Sequence, residues 1–448
     1  MRSHLGRTLA ASSVIVGLLG AAAPALANGR FPNADHLVVD PGNPDHIVVR
    51  ATFGLVQSFD AGASWTWICE PAVGYGGTDD PAIAVTGLGH LLVGIRDGVA
   101  TSTDAGCSFA VDGSALAALR VVDLAVEPLD PAAAVGISGD DADGNPRIVV
   151  AETLDDGLSW TALGPDLDTD LFPQTIDAAP SMRERIYVSA VAGVDAAPVI
   201  ERSSDRGATW TRVAVDIPGA ERTFISAISP VDPDRIYLRV PGEGTDRLFV
   251  SDDAAETWTE ILSLEGEMLG FGLSPDGEKV AVGLKQGGVY LASTSDHRFV
   301  RTGESGVRCL TWAQAGLYAC GNQAQDGFTV GLSTDEGASF TPLYDLLEIG
   351  LSSCPAGTDT AVACPPLFEE LLDQLGGSGG SGAGGATAAT VSSASTGGAT
   401  PEEAGDGCSC RSASRTSDAP LGLVALAGLL MVFRSRNKRF EFFEGSGG

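Results

Sequence analysis

The sequence predicts an all-β protein, a seven-bladed β-propeller with four-stranded antiparallel blades. Three observations support this fold: an eight-residue motif that returns along the chain, a nearly constant spacing of its copies, and a second turn motif upstream of several copies. The aromatic positions of successive copies are 44, 51, 50, 48, 41 and 41 residues apart. A period of this size is typical of folds in which every repeat forms one structural unit.

The repeated motif reads S-x-D-x-G-x-x-W, with Trp or Phe last; we call it the box. Its first copy is residues 58–65, and residues 293–299 form a shortened copy. The six clear copies contain the aspartates Asp60, Asp104, Asp155, Asp205, Asp253 and Asp335. Because aspartate accepts backbone N–H bonds in tight turns and glycine adopts positive φ, we interpret the box as a stabilised turn. Its aromatic residue is expected to be buried between blades, and Ala255, which replaces the glycine, to strain its turn.

The second motif is a turn rich in Pro and Asp between two apolar runs, as in residues 37–49 and 227–238. Pro, Asp, Asn and Gly favour turn conformations, and β-branched runs favour strands. One strand, this turn, a second strand and a further pair closed by the box make a four-stranded unit. Seven such units form a seven-bladed propeller, which we assign to residues 28–350.

The two ends of the chain carry different signals. Residues 1–27 are predicted to be a signal peptide, because a basic start and an apolar core precede Ala25-Leu26-Ala27, a small-residue cleavage site. After the propeller we expect a disulfide loop and a short helix, Leu367–Leu375, within residues 351–375. Residues 376–407 are rich in Gly, Ser, Ala and Thr and are predicted to be a flexible, disordered tether.

The last segment combines Cys408 and Cys410, the apolar run Leu421–Phe433 and a basic cluster, over residues 408–439. Residues 440–448 follow as a tail. The apolar run is shorter than the roughly 20 residues of a full membrane span. A marginal transmembrane span or a transient sorting helix is therefore expected, with the basic cluster on the cytoplasmic side.

The box copies resemble the Asp-box, or BNR, repeat of bacterial sialidases, sortilin-type receptor domains and the photosystem II stability factor group. The resemblance covers roughly residues 31–345. It implies the propeller fold and boxes that lie away from the substrate-binding face. It implies no particular activity, because catalytic and non-catalytic propellers share the box.

The C-terminal segment resembles the MYXO-CTERM sorting signal, although residues 440–448 extend beyond the usual basic end. This resemblance implies cleavage near Cys408 and Cys410, with a lipid on one of them. We accordingly expect an exported protein at the cell surface or associated with the outer membrane. Its contact with the membrane would be the C-terminal segment or the lipid.

Six cysteines lie in the propeller and the segment after it. Cys309 and Cys320 flank a predicted hairpin and are expected to pair, and Cys354 and Cys364 bracket a loop that they would close. Cys69 and Cys107 remain and would pair by elimination, although the sequence leaves the connectivity open. Disulfides are favoured over a metal site because the chain has no C-x-x-C motif and no cluster of its five histidines.

Charge and motifs exclude several functions. The formal net charge is −31, so we predict no nucleic-acid partner, since such binding requires basic residues against phosphate. No P-loop, dinucleotide fingerprint, H-E-x-x-H or G-x-S-x-G motif is present. We predict no catalytic, cofactor-binding or metal-binding residues. The Gly-rich loop Tyr75–Pro81 is the best candidate for an exposed binding surface.

The expected function is a non-enzymatic scaffold or recognition module for a protein or a glycan, acting through loops on one propeller face. The alternative is a sialidase-type glycoside hydrolase. That reading requires an arginine clamp, for which Arg50, Arg239 and Arg308 are candidates, and a tyrosine nucleophile, Tyr237 or Tyr344. Arg30-Phe31-Pro32 faintly resembles the Arg-Ile-Pro motif of that family. Convergence of these groups at the central channel would distinguish the two functions.

Overall fold

The computed structural model describes residues 32–77, 79–139, 147–193 and 196–376. All of them belong to the first of two units, residues 1–381, into which the chain divides. The predicted signal peptide, the linker beyond Gly376, the C-terminal segment with Cys408 and Cys410, and the tail lie outside the described residues. So do Arg30 and Phe31.

The described residues form seven sheets, each with four antiparallel strands, which confirms the predicted propeller of four-stranded blades; the first sheet has one further strand that pairs in parallel. Blade 1 contains β1 (Ala34–Val39), β2 (Ile47–Ala51), β3 (Gly54–Ser58) and β4 (Thr66–Ile68). Blade 2 contains β5 (Ile83–Val85), β6 (Leu91–Ile95), β7 (Gly98–Ser102) and β8 (Ala110–Val111). Blade 3 contains β9 (Val121–Glu127), β10 (Asp130–Ser138), β11 (Val150–Thr153) and β12 (Thr161–Ala162). Blade 4 contains β13 (Leu171–Ala178), β14 (Ile186–Ala192), β15 (Ala197–Ser203) and β16 (Thr211–Ala214).

Blade 5 contains β17 (Phe224–Ile228), β18 (Ile236–Val240), β19 (Thr245–Ser251) and β20 (Thr259–Glu265). Blade 6 contains β21 (Met268–Leu273), β22 (Lys279–Leu284), β23 (Gly288–Ser293) and β24 (Val300–Gly303). Blade 7 contains β25 (Cys309–Ala313), β26 (Gly316–Cys320), β27 (Val330–Ser333) and β28 (Thr341–Tyr344). The shortened box, residues 293–299, forms the turn from β23 to β24, so it closes a blade as the clear copies do.

The second strand of each blade is apolar on both faces. In β2, Ile47, Val48 and Val49 are fully buried although successive side chains of a strand point to opposite sides. Both sides are buried because each blade packs against a neighbour on either face. Continuous β-branched runs, rather than alternating ones, are therefore the pattern that the fold requires.

The box and the turn between the first two strands of a blade, here called the inner turn, lie at the same end of the propeller. In blade 1, the Ala61 N–H donates to the carbonyl oxygen of Asp45 in the inner turn (2.9 Å). The same 2.9 Å bond recurs from Asp156 to Ala132, Arg206 to Glu184, Ala254 to Asp234 and Thr294 to Glu278. We call this end the box face.

Blade 1 and blade 7 each take their four antiparallel strands from one continuous stretch, and a fifth strand from the far end of the propeller chain joins the edge of blade 1. This strand belongs to residues 350–376, here called the strap, which run back from blade 7 to blade 1. The strap contains β29 (Gly350–Leu351), which pairs in parallel with β4, followed by α3 (Asp359–Ala363) and α4 (Pro365–Gln374). The helix α4 confirms the predicted C-terminal helix and begins two residues earlier, with Pro365 and Pro366 at its first positions.

Two further short helices are α1 (Glu70–Val73), after β4, and α2 (Gln323–Asp326), between β26 and β27. Among the described residues, no helix has the length and apolar character that crossing a membrane requires.

All six propeller and strap cysteines are in disulfides, but two predicted pairings are wrong. Cys309–Cys320 forms as expected, between residues paired in register in the β25–β26 hairpin. The other bonds are Cys69–Cys364 and Cys107–Cys354, not Cys69–Cys107 and Cys354–Cys364.

The strap explains the observed pairing. It crosses blade 1 to reach the box of blade 2, where Thr360 donates its N–H to the carbonyl of Cys107 (3.0 Å) and its hydroxyl to that of Gly106 (2.6 Å). Cys354 and Cys364 are thereby held against different blades. Two covalent bonds link the end of the propeller to its beginning.

Candidate functional site

The box uses its polar atoms within its own turn. In blade 1, the Ser58 hydroxyl donates to Asp60 Oδ1 (2.8 Å) and accepts the N–H of Gly62 (2.8 Å). Asp60 Oδ1 also accepts the Ser64 N–H (2.8 Å), and Oδ2 accepts the Ser64 hydroxyl (2.6 Å). Both carboxylate oxygens are therefore engaged locally, as turn stabilisation requires.

The other clear boxes repeat these bonds with Asp104, Asp155, Asp205, Asp253 and Asp335. The pKa of each of the six carboxyls is lowered. In the last box, the hydroxyl and N–H of Ser339 lower the pKa of Asp335 to about 2. A carboxylate held ionised by its own turn cannot act as a general acid near neutral pH. These contacts support the structural role predicted for the box aspartates.

The box glycine has positive φ, and Ala255 follows the same path. Gly62 has φ 93°, Gly207 84° and Ala255 74°. Left-handed backbone costs a non-glycine residue about 1–2 kcal/mol. The expected strain at Ala255 is therefore present, and its methyl group is fully buried.

The aromatic residue of the first box joins the two ends of the ring. Trp65 is 4% exposed, and its indole N–H donates to the carbonyl of Leu343 in blade 7 (2.9 Å). Its ring packs against Tyr344 of the same blade, with centroids 5.1 Å apart. The box thus contributes both a turn and a contact across the seam between blades 7 and 1.

Each of the three arginines proposed for a carboxylate clamp forms a hydrogen bond or ion pair with a group of its own blade or of a neighbouring blade. The contacts are Arg50 to the carbonyl of Pro81 (3.0 Å), Arg239 to Asp246 (2.8 Å) and Arg308 to Asp35 (2.5 Å). Each of the three guanidinium groups therefore already has a partner within the protein.

The two candidate nucleophiles are buried. Tyr237 is fully buried, its hydroxyl lies 3.2 Å from His297 Nε2, and burial raises its pKa to about 12. Tyr344 is 1% exposed, and burial raises its pKa still further. A nucleophile must reach the substrate in an ionisable state, and neither phenol meets this requirement.

The loop proposed as a binding surface is also less open than expected. Tyr75 is 9% exposed and belongs to the core around blade 1. Asp79 forms a bidentate pair with Arg96 (2.8 and 2.6 Å). Tyr75 is thus buried, whereas Gly77 and Asp80 of the same loop are exposed; Thr78 lies outside the described residues.

A pair of carboxyl groups on two neighbouring inner strands was not predicted. Asp123 on β9 and Asp177 on β13 are half-buried, on the first strands of two adjoining blades. Burial raises the pKa of Asp123 to about 6, although the Ile176 N–H donates to its Oδ2 (2.9 Å). Burial, and then the charge of Asp123, raises the pKa of Asp177 well above its usual value. Both carboxyls therefore ionise less readily than an exposed aspartate does.

Blade 1 supplies two further groups to this sector. Burial, and then the charge of Arg50, lowers the pKa of His36 to about 3, so this imidazole is neutral. Arg50 also acts on Asp123, favouring its charged form. The sector thus combines a neutral imidazole, a guanidinium and a carboxyl pair. Among the described residues, no group of three or more His, Cys, Asp or Glu side chains has the arrangement of a metal site.

Comparisons with known proteins return similarity of structure only. No family model matches the chain, and no curated protein matches it significantly. An ancestral GH74 enzyme is 16% identical, with a TM-score of 0.54 over 70% of this chain and 46% of that enzyme. The shared feature is the fold. The chain spans about half the length of that enzyme.

Two further structures are more distant. A GH74 enzyme of Niastella koreensis is 13% identical over 69% of this chain and 65% of its own, with a TM-score of 0.41. YCF48 bound to D1 peptide is 13% identical over 51% of this chain and 68% of its own, with a TM-score of 0.37. At these levels, neither indicates a substrate or partner for this chain.

Proposed function

We propose that the protein is an exported, surface-anchored β-propeller that acts as a non-enzymatic scaffold or recognition module for a protein or glycan. The observation that carries this proposal is that the candidate catalytic groups are buried or bonded to other protein groups. Both tyrosines are buried, and each arginine of the would-be clamp is bound to protein atoms. The exposed turns of the propeller are then the part of the protein that is available to bind a ligand.

Export is supported by the three disulfides, since such bonds persist in oxidising compartments. The expected leader and the C-terminal sorting segment belong to the same proposal. Mass spectrometry of the mature protein from cells should find a start near Asn28 and no peptide beyond about Cys410. A mature chain that ends at Gly448 would contradict the sorting and anchoring part.

Recognition itself is tested with the mature full-length protein on glycan arrays and by crosslinking on intact cells. We expect a reproducible protein or glycan ligand and no turnover of a fluorogenic glycoside panel that includes sialosides. Release of product above the rate of a heat-inactivated sample would contradict a non-enzymatic role.

The second candidate, a glycoside hydrolase, is favoured by the carboxyl pair Asp123 and Asp177. Glycosidases use two carboxyl groups, one of which has a raised pKa and acts as the acid. If the same glycoside panel shows turnover, Asp123→Asn and Asp177→Asn should each abolish it. Turnover that both variants retain would exclude this pair as the catalytic groups.

A further inference from the structure

The inner turns of four successive blades expose apolar side chains at nearly the same place. Leu88, Leu129 and Val231 are 73%, 80% and 69% exposed and occupy the equivalent turn position in blades 2, 3 and 5. Met182, 39% exposed, lies one position later in blade 4. Turns favour Gly, Asn, Asp and Ser, and single exposed apolar residues need no explanation. Four in consecutive turns, however, form a series.

These turns adjoin one another around the ring. The Gly87 N–H of blade 2 donates to the carbonyl of Pro131 in blade 3 (2.9 Å). The turns of blades 3 and 4 line one shallow cavity of about 140 Å³ that includes Leu129 and Pro180. The Tyr187 hydroxyl of blade 4 donates to the carbonyl of Pro233 in blade 5 (2.9 Å). The four apolar residues therefore lie along one arc of connected turns on the box face, which we call the apolar arc.

The same face carries surplus negative charge. Each arginine or lysine of the described inner turns is paired with a carboxylate: Arg183 with Asp130, Arg185 with Asp234, Arg235 with Asp252 and Lys279 with Glu336. Further acids of these turns, Asp45, Glu184 and Asp276, are exposed. The six box carboxylates add to them, because their lowered pKa keeps them ionised. A ligand of the apolar arc therefore meets apolar side chains set in a negative field.

We propose that the apolar arc binds a protein segment in which apolar and basic side chains alternate; this proposal rests on the proposed recognition function and assigns it to the box face. Alternation suits the arc because apolar side chains fill the turns while basic ones reach the flanking carboxylates. A glycan fits less well, since sugars stack on aromatic rings and the arc consists of aliphatic and Met side chains. An anionic membrane surface is repelled by the same carboxylates.

The test uses the full-length oxidised protein and three fluorescein-labelled 12-residue peptides of alternating Leu/Arg, Leu/Glu and Ser/Arg. Binding is measured by fluorescence anisotropy at two salt concentrations. The arc variant is Leu88→Ser/Leu129→Ser/Val231→Ser. Its control is Phe172→Ser/Leu347→Ser, which removes residues of similar exposure (59% and 49%) at the opposite end of the blades. All substitutions are exposed, and an unchanged Tm establishes that both variants are folded.

We expect the Leu/Arg peptide to bind at least tenfold more tightly than either other peptide and to weaken as salt rises. The arc variant should lose at least tenfold in affinity, and the control variant should bind as the unaltered protein does. Equal binding of the Ser/Arg peptide would reduce the effect to charge and overturn the proposal. So would undiminished binding by the arc variant, or no binding at all.

Two further measurements separate this proposal from its alternatives. If light scattering shows a dimer that the arc variant alone dissociates, the occupant is a second copy and the proposal is wrong. If glycan arrays give a ligand while none of the peptides binds, the proposed recognition function is supported, but the apolar arc is not its site and this proposal is wrong.

Discussion

Removing the strap disulfides gives the sharpest test of how the ring is held closed. Cys69–Cys364 and Cys107–Cys354 span 295 and 247 residues. While one of these disulfides is intact, the other closes only a small loop, which consists of the stretches 69–107 and 354–364 and has roughly 48 residues. The loop-entropy relation then gives about 4 kcal/mol for losing either bond alone. Once the first disulfide has been removed, the remaining one closes a loop of its full span. Losing both therefore costs about 10 kcal/mol, more than twice the cost of losing one.

The assay is equilibrium unfolding in urea, followed by tryptophan fluorescence, of three variants in which paired cysteines are replaced by alanine. The matched control is Cys309→Ala/Cys320→Ala. That disulfide closes 11 residues inside one hairpin, so its loss should cost at most about 3 kcal/mol and add independently to either strap variant.

The reasoning fails if the double strap variant is no less stable than either single one. It also fails if the hairpin variant is destabilised as much as the double strap variant. Either result would mean that the strap disulfides do not stabilise the folded propeller by restricting the unfolded chain.

Three other predictions concern the blades. Trp65→Ala should cost about 3–5 kcal/mol in urea unfolding, because it empties the buried seam between blades 7 and 1; Phe172→Ala, on an exposed ring, should cost under about 0.5 kcal/mol. Gly157→Ala should lower Tm by several degrees in a thermal melt, since its φ is 83° and a Cβ would lie 2.2 Å from Leu92 Cδ2; an unchanged Tm would contradict the close packing. Asp123→Asn should raise Tm at pH 8 and leave it unchanged at pH 3. The pKa of Asp123 in the folded protein is raised to about 6 from 3.8, so its stabilising contribution is complete below pH 4 and is lost as pH rises through 6. A lower Tm at pH 8 would contradict this sign.

The propeller was predictable because its signals are local. The hydrogen bonds that the Ser58 and Asp60 side chains make within the first box join residues two or four positions apart. A turn that is stabilised by its own residues leaves the same pattern in each repeat, even where Ala255 replaces glycine. Blade number follows from counting such turns.

The sites were less predictable because they depend on contacts between repeats. Asp123 and Asp177 belong to different blades, and nothing near either residue in sequence shows that the charge of one acts on the other. A signal existed for Asp123, an acid inside the apolar strand Val121–Glu127. For the apolar arc, the signal was an aliphatic residue directly after the turn proline, at Leu129 and Val231, where polar residues are usual.

The disulfide pairing failed for a related reason. Proximity in sequence favoured Cys354 with Cys364, whereas the strap separates them by crossing two blades. Only the path of the strap, fixed by bonds such as Thr360 to Gly106, decides which cysteines meet.

The pairing also determines how the protein responds to a load on its ends, which matters for a propeller proposed to be displayed on a tether. A disulfide cannot extend, so Cys69–Cys364 prevents residues 69–364 from contributing length when the chain is pulled. Of residues 34–376, only about 47 then lengthen, giving about 170 Å, against about 1,200 Å for the fully released stretch.

Single-molecule pulling between residues 34 and 376 measures this difference. The oxidised protein and Cys107→Ala/Cys354→Ala should both stop near the short length, because each retains Cys69–Cys364. Cys69→Ala/Cys364→Ala should extend further, by the stretches 69–107 and 354–364, or about 170 Å more. Near-complete extension of the oxidised protein would instead indicate the local pairing of Cys69 with Cys107 and Cys354 with Cys364. In that case, a load from the tether would open blade 7 first and would not be carried into blade 1.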